Sequence, residues 1–392
     1  MKSLKKLGLL PYIIIAIALG LLCGWGCAQS AEMTWAVRLC ATFNAIFSEY
    51  LGFIIPLLIL GFVAPAIADL GAKAGKMLLF TAALAYVFTL MAGFISYGVS
   101  SLCFKQLIDP SVSIAEVEDA AAVAPYFTMD IEPLMGVLSA LVLAFILGIG
   151  TARVGSKALA DVLSGLRDVI SWVIAKSIIP LLPVYIFSIF VGMSYTGDAW
   201  PMLVAFGKVI GVIFVMHIGI LVLQYCISGL VAKTNPLKSL WTMMPAYFTA
   251  LGTSSSAATI PVTLRRAQLL GVSPEVAGFT VPLCATIHMS GSTLKIVACA
   301  LALMIMQGHP YDLGMFAQFI AMLGISIIAA PGVPGGAIMA SLGILSSILG
   351  FTEADCALMI ALYISMDSFG TACNVTGDGA IAQIVNRAFP TK

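Results

Sequence analysis

The sequence predicts an all-α integral membrane protein with eight transmembrane helices and two re-entrant helical hairpins, arranged as inverted repeats. Of its 392 residues, 61% are hydrophobic and only 9% are charged, whereas about a quarter of the residues of a soluble domain are charged. The first 231 residues contain six apolar runs, and about 20 apolar residues suffice to cross a bilayer as a helix. The rest of the chain is interrupted, twice in the same order, by small and polar residues.

The six uninterrupted runs are the first elements of the predicted fold. They lie near residues 9–29, 38–68, 76–104, 131–150, 168–194 and 202–231. The basic start "MKSLKKLG", followed by an apolar run and "CAQSA", is also typical of a secretory signal peptide, but a long hydrophobic helix would still follow it. The net charge of +1 gives no basis for a nucleic-acid partner.

Basic residues orient the chain in the bilayer. If the six runs cross alternately, the lysines and arginines near both ends and in every second loop share one side, which the positive-inside rule makes cytoplasmic. These residues are Lys2, Lys5, Lys6, Lys73, Lys76, Arg153, Lys157, Arg167, Lys233 and Lys238. We therefore expect a multi-pass protein of the plasma (inner) membrane with both termini in the cytoplasm.

Four interrupted pieces follow residue 238. They run from about 239 to 264, 274 to 306, 313 to 349 and 354 to 386, with breaks at "TSSSAA", "HMSGST", "APGVPGG" and "SFGTACN". The first and third have flanks that return them to the side of entry, so each is predicted to be a re-entrant hairpin, and each is followed by a broken helix. Ser256 and Gly291 are 35 residues apart, and so are Gly335 and Gly370. With opposite entry sides, the two halves form an inverted repeat.

Duplicated hairpins and broken helices indicate a secondary transporter. Non-helical backbone at membrane depth is tolerated only where protein or a watery cavity satisfies its amides, and such pairs mark the binding site of transporters. The serine run "TSSSAA" is then a hairpin tip. Its hydroxyls and the free N–H groups of the next helix can hold an anionic group such as a carboxylate.

These interrupted segments resemble the dicarboxylate/amino acid:cation symporter family, which includes glutamate and neutral amino acid transporters. The motifs are "TSSSAATIPVT", "HMSGST" in place of the family's Asn-Met-Asp-Gly-Thr, "GVPGGAIM" and "DSFGTACNVTGD". The resemblance implies scaffold helices 1 and 2 in residues 1–72, mobile helix 3 in 73–105, scaffold helices 4 and 5 in 106–200, and a transport core in 201–392. It also implies a homotrimer.

The resemblance further implies which residues bind. Substrate contacts are expected from Ser254, Ser255, Ser256, Val333, Pro334, Gly335, Asp367, Gly370, Thr371 and Asn374. The spacing of Asp367, Thr371 and Asn374 places them on one helical face. Cation contacts are expected from Asn374, Asp378, Cys284, Thr286, Tyr86 and Thr89, an oxygen-rich set that suits a hard cation such as sodium.

The substrate is predicted from what is missing. Family members that transport amino acids with acidic side chains use an arginine at one of two positions, and in this chain these positions are Ser254 and Gly370. Without that arginine, the side-chain carboxylate of an acidic substrate would be buried unpaired. Asp367, in turn, favours a substrate that has an ammonium group. We therefore expect a small neutral amino acid. Acidic amino acids or dicarboxylates are the alternative within the family.

Coupling is where the sequence departs furthest from the family. The family's acidic cation ligand is replaced by Ser290, and the asparagine two residues earlier by His288. Lys295 lies one turn beyond Gly291, where a lone ammonium is costly without a partner such as Asp378; otherwise it snorkels to an interface. We expect Lys295 or a protonated His288 to replace one sodium, with no organic cofactor and with sodium or protons as coupling ions.

Two other classes of function remain open. A passive channel could use the same fold, although a pore needs no pair of closing tips. An intramembrane serine hydrolase could be built from Ser256, His288 and Asp367, because such triads are defined by geometry rather than by chain order. That alternative leaves the second hairpin unexplained.

Overall fold

The computed structural model describes residues 9–72, 76–108, 123–197, 199–328 and 335–390. In these ranges the chain is helical and contains no strand. Six helices are long and apolar enough to cross a membrane, or seven if one bent pair counts as a single span. The protein is therefore a multi-pass membrane protein.

The first half of the chain is built from long helices. They are α1 (Leu9–Ala28), a 3-10 turn (Ala31–Met33), α2 (Thr34–Ala72), α3 (Lys76–Leu107), α4 (Val137–Val154), α5 (Lys157–Val173), a π-helical turn (Ile174–Ile178), α6 (Ile179–Thr196) and α7 (Ala199–Ala232). Five of the six predicted spans coincide with helices of this set that are long enough to cross. The sixth predicted span, 131–150, overlaps α4, which begins only at Val137 and whose apolar part, Val142–Val154, is shorter than a full span.

The second half consists of shorter helices in four pairs. They are α8 (Pro236–Thr253) and α9 (Ser256–Leu269), α10 (Pro274–Ile287) and α11 (Ser290–Gln307), α12 (Leu313–Ile328) and α13 (Gly336–Leu349), and α14 (Glu353–Ser365) and α15 (Asp367–Ala388). We name α8 with α9 hairpin 1, and α12 with α13 hairpin 2, since the two helices of each pair pack together. The other two pairs are broken helices.

Local sequence explains where these helices start. The side chain of Asn235 accepts a hydrogen bond from the amide of Lys238, and proline at the next position suits a first helical turn. Ser273 caps α10 in the same way. Thr352 and Asp355 form a reciprocal capping box at the start of α14, which satisfies two amides that the helix leaves free.

Two of the four predicted breaks lie at the expected motifs, since the helices stop at Thr253 and Ile287 and resume at Ser256 and Ser290. The break predicted at "APGVPGG" lies mostly outside the described residues, which resume at Gly335, directly before α13. The fourth prediction is displaced: α14 and α15 break at Met366, with a bend of 63°, rather than within "SFGTACN". That stretch of small residues is helical because α15 is enclosed by other helices, which compensate for its weak intrinsic helix propensity.

The broken helices form the centre of the molecule. In the apolar window of α10 and α11, 94% of the residues are buried, against 28% in α1. The helix α15 packs against α7, α8, α9 and α10, and α3 packs along α11, whereas α2 pairs with α4 and α1 with α6. The polar residues of the interrupted half therefore lie inside a shell of helices.

Candidate substrate and cation site

The tip of hairpin 1 is formed by two serines. Ser254 adopts a left-handed conformation with φ of +50°, which is uncommon outside glycine. Ser255 caps α9, its side chain accepting a hydrogen bond from the amide of Ala258 at 3.3 Å. The Oγ atoms of Ser254 and Ser368 share a hydrogen bond of 2.6 Å. Ser256 begins α9 and is buried, so the tip presents hydroxyls and a helix N-terminus to α15.

The tip of hairpin 2 reaches the same place. Gly335 has φ of +78°, a conformation that glycine adopts without steric cost, and its amide donates to Oδ2 of Asp367 at 2.8 Å. Val333 and Pro334, also predicted to close over the substrate, lie outside the described residues. The two tips thus contact two consecutive residues, Asp367 and Ser368, at the start of α15.

Lys295 occupies the space next to Asp367. Its Nζ atom lies 3.3 Å from Oδ1 of Asp367 and donates to the carbonyls of Met366 at 3.2 Å and Tyr363 at 3.4 Å. It also lies 3.5 Å from the centroid of the Tyr363 ring. The expected partner Asp378 is not the partner that the structure shows. Nor does Lys295 snorkel, since it is fully buried.

Gly370 provides the room for this ammonium. A Cβ atom at position 370 would lie 2.7 Å from Nζ and 2.8 Å from Cε of Lys295, closer than real contacts allow. The position where an arginine would hold an acidic substrate is therefore filled by a cation from another helix. Thr371, one residue on, is buried in the same helix.

Asn374 holds the two broken helices together. Its Oδ1 atom accepts from the amides of Gly291 at 2.8 Å and Ser292 at 3.3 Å, and its Nδ2 donates to Oγ of Ser292 at 3.0 Å. These amides belong to the first turn of α11, where backbone N–H groups lack helical partners. Asn374 therefore has a capping role in this structure, in the place where we predicted substrate and cation contacts.

Asp378 is paired with a histidine. Its Oδ1 atom lies 2.9 Å from Nδ1 of His288, and Nε2 of His288 lies 3.4 Å from Nε2 of Gln224. Both members of the pair are buried. The hydrolase alternative required His288 to join Ser256 and Asp367, but His288 pairs with Asp378 and Asp367 pairs with Lys295.

The remaining predicted cation contacts are spread around the break in α10 and α11. Oγ1 of Thr89 accepts from the amide of Met289 at 3.4 Å, and the hydroxyl of Tyr86 donates to the carbonyl of Ala321 in hairpin 2 at 3.1 Å. The carbonyl of Cys284 accepts from the amide of His288. Thr286 is exposed and donates to Leu283, and the buried hydroxyl of Ser290 has no hydrogen-bond partner among the described residues.

Sequence reasoning missed several residues of the site. Tyr363 lies four residues before Asp367, a spacing that suggests one helical face, although the break at Met366 places the two on different helices. Ser368 directly follows Asp367, and helical spacing gave no signal for it. His217 and Gln224 lie seven residues apart in α7, and both are buried. Polar residues at that spacing in an apolar helix are a signal for a shared inward face. Nε2 of His217 lies 3.1 Å from the carbonyl of Gly291.

Comparison with known proteins identifies the group of proteins to which this arrangement belongs. The model of the sodium:dicarboxylate symporter family matches residues 9–388. The chain belongs to this family. The match covers both hairpins and both broken helices, and the similar proteins are named as transporters rather than enzymes.

Members of the sodium:dicarboxylate symporter family resemble the chain to different extents. The serine/threonine transporter SstT of Streptococcus suis is 28% identical over 377 residues, which are 92% of this chain and 98% of the relative. SstT of Acinetobacter baumannii is 29% identical over 60% of each chain. Human excitatory amino acid transporter 2 is 33% identical over 156 residues, 40% of this chain and 27% of the relative.

Proposed function

We propose that this chain is a secondary active transporter that carries a small neutral amino acid into the cell together with a cation. The observation that supports it best is the meeting of two helical tips at Asp367 and Ser368. Ser254 reaches Ser368 at 2.6 Å, and Gly335 reaches Asp367 at 2.8 Å. A carrier needs two barriers that close over one binding site, whereas a pore does not need two such barriers.

The chemistry of the two tips suits a zwitterion. Hairpin 1 offers hydroxyls and the N-terminus of α9 to a carboxylate, and Asp367 offers a carboxylate to an ammonium. Because Gly370 brings no arginine, and Lys295 donates to two backbone carbonyls as well as facing Asp367, the described site has no cation directed at a second carboxylate. The names of the two SstT relatives agree with a small neutral substrate such as serine or threonine.

Sodium is the coupling ion that we propose, with protons as the alternative. Asn374 and Asp378 supply side-chain oxygens of the kind that sodium prefers, although both are engaged by Ser292 and His288 in this structure. Ser290 replaces the family's acidic cation ligand, and His288 occupies an oxygen of Asp378. We therefore propose that fewer sodium ions are coupled than in the glutamate carriers.

The finer architecture is part of the proposal. It comprises eight spans and two re-entrant hairpins in the plasma membrane, with cytoplasmic termini and three copies per assembly. The packing of α2 with α4 and of α1 with α6 supports a scaffold separate from the transport core. Cross-linking and mass measurement in detergent would test the trimer, and cysteine labelling from each side would test the topology.

Uptake into proteoliposomes tests the function. A panel of labelled amino acids is offered under an inward sodium gradient, an inward proton gradient or no gradient. We expect serine, threonine or alanine to accumulate above equilibrium with one of the gradients. Equilibration without accumulation would support the channel, and accumulation of aspartate or glutamate alone would support the acidic alternative.

A further inference from the structure

Each charged side chain buried near Lys295 has a partner within the protein. Lys295 is the one lysine or arginine that is buried in the described part of the chain. Two buried carboxylates of α15 each have their own partner: Asp378 faces His288, and Asp367 faces Lys295. A lone charge at this depth is costly, so Lys295 and Asp367 neutralise each other in the site without substrate.

We propose that Lys295 is an internal counter-ion that holds Asp367 in the empty carrier and gives way to the ammonium of the substrate. The inference rests on the proposed function, since it concerns the same site. The ammonium of the substrate and the ammonium of Lys295 would compete for the carboxylate of Asp367. Oδ2 of Asp367 already accepts from Gly335, and Oδ1 faces Lys295.

Nζ of Lys295 has other binding partners besides Asp367. An ammonium has three donors, and here they face Asp367, the carbonyl of Met366 and the carbonyl of Tyr363. The Tyr363 ring lies beneath it at 3.5 Å, where a cation is attracted to the ring face. When the substrate ammonium binds Asp367, Nζ of Lys295 moves away from that carboxylate but stays in contact with the two carbonyls and the ring. The flexible side chain of lysine permits this movement.

The consequence concerns the return step of the carrier. A carrier that releases its substrate must move its empty site back across the membrane, and an unpaired Asp367 would oppose that movement because buried charge is costly. With Lys295 on Asp367 the empty site returns balanced. The carrier then needs no second cation for the return.

Lys295→Met separates return of the empty carrier from transport itself. In proteoliposomes, exchange of internal labelled serine for external serine uses only loaded carriers, whereas efflux into substrate-free medium requires the empty carrier to return. We expect the ratio of net efflux to exchange to fall by about tenfold or more, because an unpaired buried carboxylate is expensive. Lys208→Met, which changes an exposed lysine, should leave the ratio unchanged.

Binding gives a second readout. Lys295 competes with the substrate for Asp367, so Lys295→Met should bind serine severalfold more tightly in a calorimetric titration. A variant with an unchanged ratio of net efflux to exchange, or with an unchanged or weaker affinity, would overturn the inference. A purely structural role would lower exchange and net efflux together.

A double variant guards against misfolding of the single one. Lys295→Met with Asp367→Asn removes both charges, so binding should weaken while the ratio of net efflux to exchange returns to that of the unmodified protein. A ratio that stays low would contradict the counter-ion. If the unmodified protein neither exchanges nor accumulates any amino acid, the proposed function itself fails and the inference falls with it.

Discussion

Nδ1 of His288 lies 2.9 Å from Oδ1 of Asp378, and both side chains are buried. This hydrogen bond occupies Oδ1 of Asp378, an oxygen that could otherwise bind a sodium ion. We expect His288→Asn to reduce the sodium concentration required for half-maximal serine binding by about threefold, since a protein hydrogen bond is worth roughly 0.5–1.5 kcal/mol. A sodium titration of binding measures it. His309→Asn is the control, and an equal sodium requirement in both variants would show that the pair does not compete with sodium.

Asp367→Asn should weaken binding of a neutral amino acid by about tenfold or more, because a hydrogen bond to a charged group contributes roughly 1.5–3 kcal/mol. The change keeps the size of the side chain and an oxygen that can accept from Gly335. Isothermal titration measures the effect. Asp312→Asn, which alters an exposed cap of α12, should bind normally, and an unaltered affinity of Asp367→Asn would refute the assigned ammonium contact.

Gly370→Arg should destabilise the protein by roughly 1–3 kcal/mol, because the new Cβ would meet Nζ of Lys295 at 2.7 Å and a buried guanidinium would lie beside a buried ammonium. We therefore expect that arginine alone does not create a site for acidic substrates. Combined with Lys295→Ala, it should be tolerated and should shift uptake toward aspartate and glutamate. Thermal unfolding and uptake competition test both statements; a stable single variant that gains aspartate uptake would contradict them.

Gly291→Ala should lower the thermal stability, since its Cβ would lie 2.6 Å from Cβ of Cys373 and 2.7 Å from the carbonyl of Gly370. Gly278→Ala is the matched control in the neighbouring helix, where nothing lies within 4 Å of the added atom. Alanine in an open helical position stabilises by roughly 0.5–1 kcal/mol. Opposite shifts of the two melting temperatures are expected, and equal shifts would deny the close approach of α11 and α15.

The sequence was most informative where a local rule acts. Ser255 and Ser273 cap helices, and serine at such positions predicts a helix start from the chain alone. The break between α10 and α11 was likewise visible at "HMSGST". Met366 was not, because no residue type there forbids a helix, and the bend depends on how α14 and α15 pack.

The pairing of Lys295 could not be read from spacing. Asp367 and Asp378 are both on α15, about 16 Å apart along its axis at 1.5 Å per residue, and either could have met a lysine from another helix. The relative height of α11 and α15 decides between them. That height is set by long-range packing, to which Gly291 contributes through its close approach to Gly370 and Cys373.

Hairpin 1 is bound to Ser368 and hairpin 2 to Asp367, whose Cα atoms are about 3.8 Å apart across one peptide bond. If α15 moves so that its first turn separates from one hairpin tip, the contact of that turn with the other tip changes as well. In the proposed carrier, the two hairpin tips would therefore be held by neighbouring residues of one helical turn. Opening of one tip would then alter the contact of the other through a single peptide unit, without a distant relay.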